Sequence, residues 1–200
     1  DDYKMEGFFQ DYSAGVVANG NHAPTMTIKG CDYSHISNGF GNNCGSVLLG
    51  QFSSEHVTVT GVSGHDLHDN CVYCSSGYDW TISNVTSKDN NGNSVQTRGP
   101  RMTVTNVTGV GILTDYVVDM TGFGLGADAD GADADGYSLV CSNISAYDCK
   151  GAVNVGPNTG YYPRDIVVSN VVAFDSVATG ETSPVEILAF ASVSLSNITV

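Results

Sequence analysis

Positive charge is the scarcest feature of this chain. Only 7 Lys and Arg stand against 21 Asp and Glu, a formal net charge of −14 over 200 residues. So acidic a surface repels phosphate backbones, which argues against a nucleic-acid partner. It also repels polyanionic glycans unless metal ions bridge the two. Long apolar runs are lacking as well. None approaches the roughly 20 residues of a membrane helix, so no membrane span is expected. Strong helix formers such as Leu, Lys and Glu are few, whereas glycine numbers 24 and Ser, Thr and Asn abound. That balance disfavours helices and favours strands punctuated by turns. No signal peptide is visible, and a start at Asp1 rather than Met predicts a processed or trimmed product. What remains is 41% apolar, enough for one domain to bury a continuous core.

One phrase recurs: apolar, Thr or similar, apolar, small polar, Gly or Asn, apolar. It reads MTIKGC from Met26, VTVTGV from Val57, WTISNV from Trp80, MTVTNV from Met102, LVCSNI from Leu139, IVVSNV from Ile166 and VSLSNI from Val193. Its fifth position is Gly30, Gly61, Asn84, Asn106, Asn143, Asn170 and Asn197, at spacings of 31, 23, 22, 37, 27 and 27 residues. Alternation of apolar and polar residues is the period of a strand with one buried face. Gly and Asn best tolerate a left-handed backbone, so the chain bends at the fifth position. Stacked Asn side chains would hydrogen-bond from coil to coil at about 4.8 Å. A repeat unable to bury its own face needs neighbours, which makes a solenoid. The pattern predicts an all-β chain, a single-stranded right-handed parallel β-helix of about seven coils with an asparagine ladder. It runs over 25–200, with residues 1–24 as a lead-in segment or first partial coil. Ile28, Val59, Ile82, Val104, Cys141, Val168 and Leu195 should form one buried stack.

This pattern resembles the pectin-lyase-like β-helix superfamily over roughly Thr25 to Val200, through its apolar stacks and asparagine ladder. Members include polysaccharide-degrading enzymes, phage tailspikes, adhesins and non-catalytic scaffolds. The resemblance implies a secreted, extracellular or virion-surface protein whose partner is a glycan. Polygalacturonase-like hydrolases carry N-T-D, D-D, G-H-G and R-I-K motifs. Asp133-Ala-Asp135-Gly136 and Tyr147-Asp148-Cys149 match the first two loosely, and no G-H-G follows.

Repeat position decides how tempting residues are read. Five places after the bend lie His35, Asp66, Asp89, Gly111, Asp148 and Asp175, which in register are turn residues rather than catalysts. Four sequons begin at Asn84, Asn106, Asn143 and Asn197, but the ladder turns these Asn inward, away from glycosylation. The segment GHDLHDN offers His65, His68 and Asp69 for a metal or a proton relay. Six cysteines at 31, 44, 71, 74, 141 and 149 predict at least one disulfide, Cys141–Cys149 or Cys31–Cys44 being the most local, with buried thiols as the alternative.

A third strand follows each bend, aligned as Val47-Leu48-Leu49, Val72-Tyr73-Cys74, Val95-Gln96-Thr97, Val118-Asp119-Met120, Val153-Asn154-Val155 and Val185-Glu186-Ile187. The middle members form an outward column. Tyr73, Gln96 and Asn154 in that column are candidate glycan contacts. So are the aromatics of the following turns, Phe52, Tyr78, Phe123, Tyr161, Tyr162 and Phe190, because sugar rings stack their C–H faces on such side chains. Asp119 and Glu186, two coils apart at about 9 to 10 Å, are the candidate catalytic pair. Inverting glycosidases hold their carboxyls roughly 6.5 to 9.5 Å apart. The acidic loop Asp128, Asp130, Asp133 and Asp135 offers hard oxygen ligands suited to Ca²⁺.

Two function classes follow. One is a structural or adhesive glycan-associated module that stacks end to end into a fibre. The other is a polysaccharide depolymerase, a hydrolase or lyase, secreted or carried on a tailspike. The absent hydrolase motifs favour the first. The phrase from Ser192 to Val200 stops in mid-coil, so the last coil is expected to pack on another chain, as a homo-oligomer or filament, or on its own continuation.

Overall fold

The computed structural model describes residues 3–6, 9–11, 26–30, 33–51, 54–75, 77–121, 137–156, 163–175, 183–188 and 191–200. Among them every regular element is a strand, and each strand pairs in parallel with the equivalent strand one coil away. The chain is a parallel β-solenoid. The first sheet stacks Tyr3–Glu6, Ser34–Ser37, Thr58–His65, Thr81–Lys88, Thr103–Val110, Tyr137–Tyr147, Arg164–Phe174 and Ala191–Thr199. Phe9–Asp11 and Phe40–Asn42 continue its first two levels. The second sheet stacks Met26–Lys29, Leu48–Gln51, Val72–Cys74, Val95–Arg98, Tyr116–Thr121, Gly151–Gly156 and Val185–Ile187. A short third sheet pairs Ser54–Glu55 with Gly77–Tyr78.

The repeat phrase holds in its middle copies. Val57, Val59 and Val62, Trp80, Ile82 and Val85, and Met102, Val104 and Val107 are all buried. So are Leu139, Cys141 and Ile144, and Ile166, Val168 and Val171. The first copy is different. Ile28 is buried but pairs with Gly50 in the second sheet, and Ile36 takes its place beneath Val59. The bend beneath Gly61 is therefore Asn38 rather than Gly30, which reduces the odd spacing of 31 to 23. The local phrase MTIKGC misled because the repeat's residue types also fit a strand of the second sheet. The other departure is Leu195, 53% exposed on the last described level.

Among the described residues the first-sheet stretch bends at three columns five residues apart rather than at one. The middle column is Asn38, Gly61, Asn84, Asn106, Asn143, Asn170 and Asn197, all with φ between 52° and 66°. Five residues earlier lie Tyr33, His56, Asp79, Arg101, Ser138, Asp165 and Ser192, all left-handed. Five residues later lie Asn43, Asp66, Asp89, Gly111, Asp148 and Asp175, also left-handed. The aspartates of the last column are thus bend residues, with Asn43 standing where His35 had been placed. Their backbone N–H groups donate to the next coil, as Asp66 does to Lys88 and Asp89 to Val110. Gly111 interrupts them for a reason: a Cβ there would stand 2.3 Å from Asp89 Oδ1.

The asparagine ladder exists, but it runs along the outside. Asn197 donates Nδ2 to Asn170 Oδ1 at 2.8 Å, Asn170 to Asn143 at 3.0 Å, Asn143 to Asn106 at 3.0 Å and Asn106 to Asn84 at 3.2 Å. Asn84 ends the run on Thr60 Oγ1, because its own column neighbour Gly61 offers no side chain. These asparagines are exposed rather than inward. A left-handed residue throws its side chain outward, and the flanking strand residues fill the core. The sequon nitrogens are nonetheless occupied, since each Nδ2 donates to the coil below.

The expected Cys141–Cys149 disulfide is not formed, and Cys31 of the other expected pair lies outside the described residues. Cys71, Cys74, Cys141 and Cys149 are buried free thiols, and Cys44 is buried. Burial raises the pKa of Cys71, Cys74, Cys141 and Cys149, which keeps them protonated and unreactive. They serve as small apolar core residues.

Candidate functional site

Parity in the second sheet fixes which side chains face out. Val72 and Cys74, Val95 and Thr97, Val118 and Met120, and Val153 and Val155 point into the core and are buried. The residues between them, Tyr73, Gln96, Asp119, Asn154 and Glu186, are in direct register on the outer face. The first level shifts by one residue: Leu48 pairs with Val72 and is fully buried, so Leu49 rather than Leu48 heads the outward column.

The column is stitched by side-chain hydrogen bonds. Asn70 donates Nδ2 to Gln96 Oε1 at 3.1 Å, and Gln96 donates Nε2 to Asp119 Oδ2 at 2.8 Å. From the other side Asn154 donates Nδ2 to Asp119 Oδ1 at 2.8 Å. Asp119 is thereby clamped between two amides and buried. Burial raises its pKa, while the Gln96 and Asn154 hydrogen bonds pull it back. Glu186 takes a 2.8 Å hydrogen bond from the Tyr116 hydroxyl. The Tyr116 ring crosses Gly151 on the way, where a Cβ would come within 2.5 Å of it. Burial, then the Glu186 contact, raises the Tyr116 phenol pKa well above its ordinary value.

Two cations border this row. The Arg98 guanidinium lies over the Tyr73 ring at 5.3 Å, and Lys150 Nζ lies 5.3 Å from the Tyr116 ring centroid. Among the described residues Arg98 Nε is buried and makes no hydrogen bond. Beside them Asp69 has its pKa raised by burial, against hydrogen bonds from the Asn70 backbone and Ser46. Burial likewise raises the Tyr73 phenol. The face therefore combines an aromatic ring, amides, carboxylates and a guanidinium.

Five residues singled out from sequence, Tyr73, Gln96, Asp119, Asn154 and Glu186, thus come together. Tyr78 does not join them. It sits in the third sheet, its hydroxyl donating to Glu55 and its ring lying under Arg101 at 5.5 Å. Phe52, Phe123, Tyr161, Tyr162, Phe190 and the acidic residues Asp128, Asp130, Asp133 and Asp135 lie outside the described residues. Asn70, Tyr116 and Lys150 were not expected here. Asn70 and Tyr116 reach the column from neighbouring register positions, which no period-two reading of the strands could reveal. The GHDLHDN segment divides. Asp69 borders this face, the His68 backbone N–H binds Cys44 O, and His65 turns toward the bend column.

Comparison with known proteins finds no matching family, no matching curated protein and no matching solved structure. The chain's class, a parallel β-solenoid, rests on its own strand order and register. Among the described residues no helix is long and apolar enough to cross a membrane.

Proposed function

We propose that the protein is an extracellular β-helix module of the pectin-lyase-like kind that binds glycan strands along the outer face of its second sheet, without cleaving them. One observation carries this reading: Asp119 accepts an amide hydrogen bond on each oxygen. A carboxylate so clamped holds a binding surface rigid and is poorly placed to exchange protons with substrate or water. Tyr73 offers a ring for stacking, and the half-buried Arg98 guanidinium beside it is of the donor type suited to hydroxyl oxygens. The strong negative charge favours neutral over acidic glycans. Affinity electrophoresis through neutral polysaccharides tests this. At least one should retard the protein, Tyr73→Ala and Arg98→Ala should each reduce the retardation, and Thr86→Ala on the first sheet should not. Retardation by none, or equal retardation of Tyr73→Ala, overturns the reading.

The depolymerase reading keeps one observation in its favour. Asp119, with a raised pKa, shares a column with Glu186 two levels on, the layout of an acid and a base. Reducing-sugar and unsaturated-product assays across a polysaccharide panel decide it. Activity abolished by Asp119→Asn or Glu186→Gln would replace the binding reading. The proposal also includes Ca²⁺ at Asp128, Asp130, Asp133 and Asp135, tested by the loss of thermal stability on EDTA treatment. It further includes packing of another chain, or of the chain's own continuation, on the last described level, where Val193 and Leu195 present core-column side chains to solvent. Light scattering of the parent against Leu195→Asp tests the contact with another chain, and a monomer in both would remove it.

A further inference from the structure

Away from the glycan face, the outermost bend column carries a cluster with different chemistry. Asp66 and Asp89 occupy this column on successive levels, and His65 immediately precedes the first. His65 Nδ1 lies 3.1 Å from Asn42 Oδ1 and 3.2 Å from Asp66 Oδ2. Its other nitrogen, Nε2, lies 3.5 Å from Asp89 Oδ2. The ring is therefore ringed by acceptors. A neutral imidazole carries one proton for two nitrogens. Whichever nitrogen holds it, the other turns a lone pair toward a carboxylate oxygen, a repulsion that a second proton or a bound metal ion relieves.

We propose that His65 Nδ1, Asn42 Oδ1 and Asp66 Oδ2 bind a divalent transition-metal ion of the Zn²⁺ type, with Asp89 orienting the ring from its opposite nitrogen. Ligands about 2.0 to 2.2 Å from zinc, at angles between square and tetrahedral, lie roughly 2.8 to 3.6 Å from one another. The two contacts at Nδ1 have that spacing. One imidazole with two oxygen donors suits Zn²⁺ or its neighbours better than Ca²⁺ or Mg²⁺. Asp89 supplies what a ligating histidine usually has, a carboxylate on its second ring nitrogen. The position is unique within its column: His65 is followed level by level by Lys88, Val110, Tyr147 and Phe174, none a comparable ligand. Lys88 Nζ, 3.7 Å from Asp89 Oδ2, partly neutralises that carboxylate and leaves Asp66 as the anionic ligand. His65, Asp66 and Asp89 are each about half exposed, so an ion can enter from solvent.

Zn²⁺ titration of chelator-treated protein by calorimetry tests the assignment. Binding of one ion with a dissociation constant in the micromolar range is expected. His65→Ala and Asp66→Asn should abolish it. Asp89→Asn should weaken it about tenfold without changing stoichiometry, as loss of a ring-orienting carboxylate does. Asp148→Asn, in the same column two levels beyond Asp89, should change nothing. All four positions are exposed bends or strand ends, and circular dichroism should confirm that each variant is folded. Absence of one-site binding, or binding that persists in His65→Ala, overturns the proposal. A histidine that is merely protonated between two carboxylates would give the first result, and an adventitious surface site the second.

Discussion

The segments Ile166–Val171 and Val193–Ile198 are nearly the same phrase, lie on adjacent levels and pair residue for residue. Their fates are opposite. Ile166 and Val168 are buried, whereas Val193 and Leu195 are 44% and 53% exposed. Nothing in the local sequence makes this difference. A coil of this solenoid cannot bury its own apolar face, and burial is conferred by levels on both sides. Ladder bonds divide in the same way. Asn106, Asn143 and Asn170 each donate one amide bond and accept another, while Asn197 only donates.

The sharpest way to break this comparison is to place a charge at equivalent positions of a central and the last level. Ile82→Asp puts an unpaired carboxylate into a fully buried column and should cost about 4 kcal/mol or more, or abolish folding. Leu195→Asp enters solvent and should cost less than about 1 kcal/mol in the monomer. Urea denaturation measures both. Equal losses would mean that the last level is covered as well as the centre. A smaller effect is expected along the ladder. Asn106→Ala loses two side-chain hydrogen bonds and strains a left-handed bend at φ 54°, for about 1 to 2 kcal/mol. Asn106→Gly keeps the backbone and should recover part of that. Asn197→Ala should cost less than Asn106→Ala, since only one bond is lost.

The same contrast explains how much of the structure was legible beforehand. The alternation of Val57, Val59 and Val62, and its echoes through Val171, encoded the first sheet, because a buried strand face writes itself as a period of two. The bend at Gly or Asn was equally plain, since few residues accept φ near 55°. What escaped was whatever depends on register between coils. Met26–Lys29 has the composition of a first-sheet strand but pairs in the second. The column Tyr33, His56, Asp79 and Arg101 hides its common left-handed geometry behind four unrelated side chains. Their stacking tells why they are tolerated. Tyr33 lies on His56 at 4.5 Å, His56 approaches Asp79 at 3.5 Å, and Arg101 grips Asp79 with contacts of 2.6 and 2.9 Å. The outward row from Tyr73 to Glu186 could be read from parity. That Asp119 is clamped and that His65 meets Asp89 rather than His68 could not, because both arise between levels.

Cysteine chemistry separates the core from a cross-linked scaffold. With Cys71, Cys74, Cys141 and Cys149 free and buried, denatured protein should react with at least four equivalents of thiol reagent without prior reduction. The native protein should react slowly, since burial holds the thiolate fraction down. Cys141 and Cys149 should be labelled in the denatured protein equally well with and without a reductant. Labelling of this pair that requires reduction would restore the disulfide between them.

The smallest expected effect concerns the carboxylate covered on both sides, Asp119. Its folded pKa is raised above the unfolded value of 3.8, mainly by burial. In the window between the two values the folded state binds more protons than the unfolded state. The associated stability is therefore fully present below the unfolded pKa and is lost as pH rises through the folded one. Asp119→Asn removes this titration and can keep the row intact, because an amide can accept from one neighbour and donate to the other once an adjoining side-chain amide flips. The melting temperature of the variant relative to the parent should therefore climb as pH rises from about 3 toward neutrality, then level off above the folded pKa. A difference that is flat with pH would show that the two amide hydrogen bonds fully offset burial. A difference that falls with pH would mean that those bonds favour the ionised form more than burial penalises it, and Asp119 would then be an anchor of the row rather than a strained member of it.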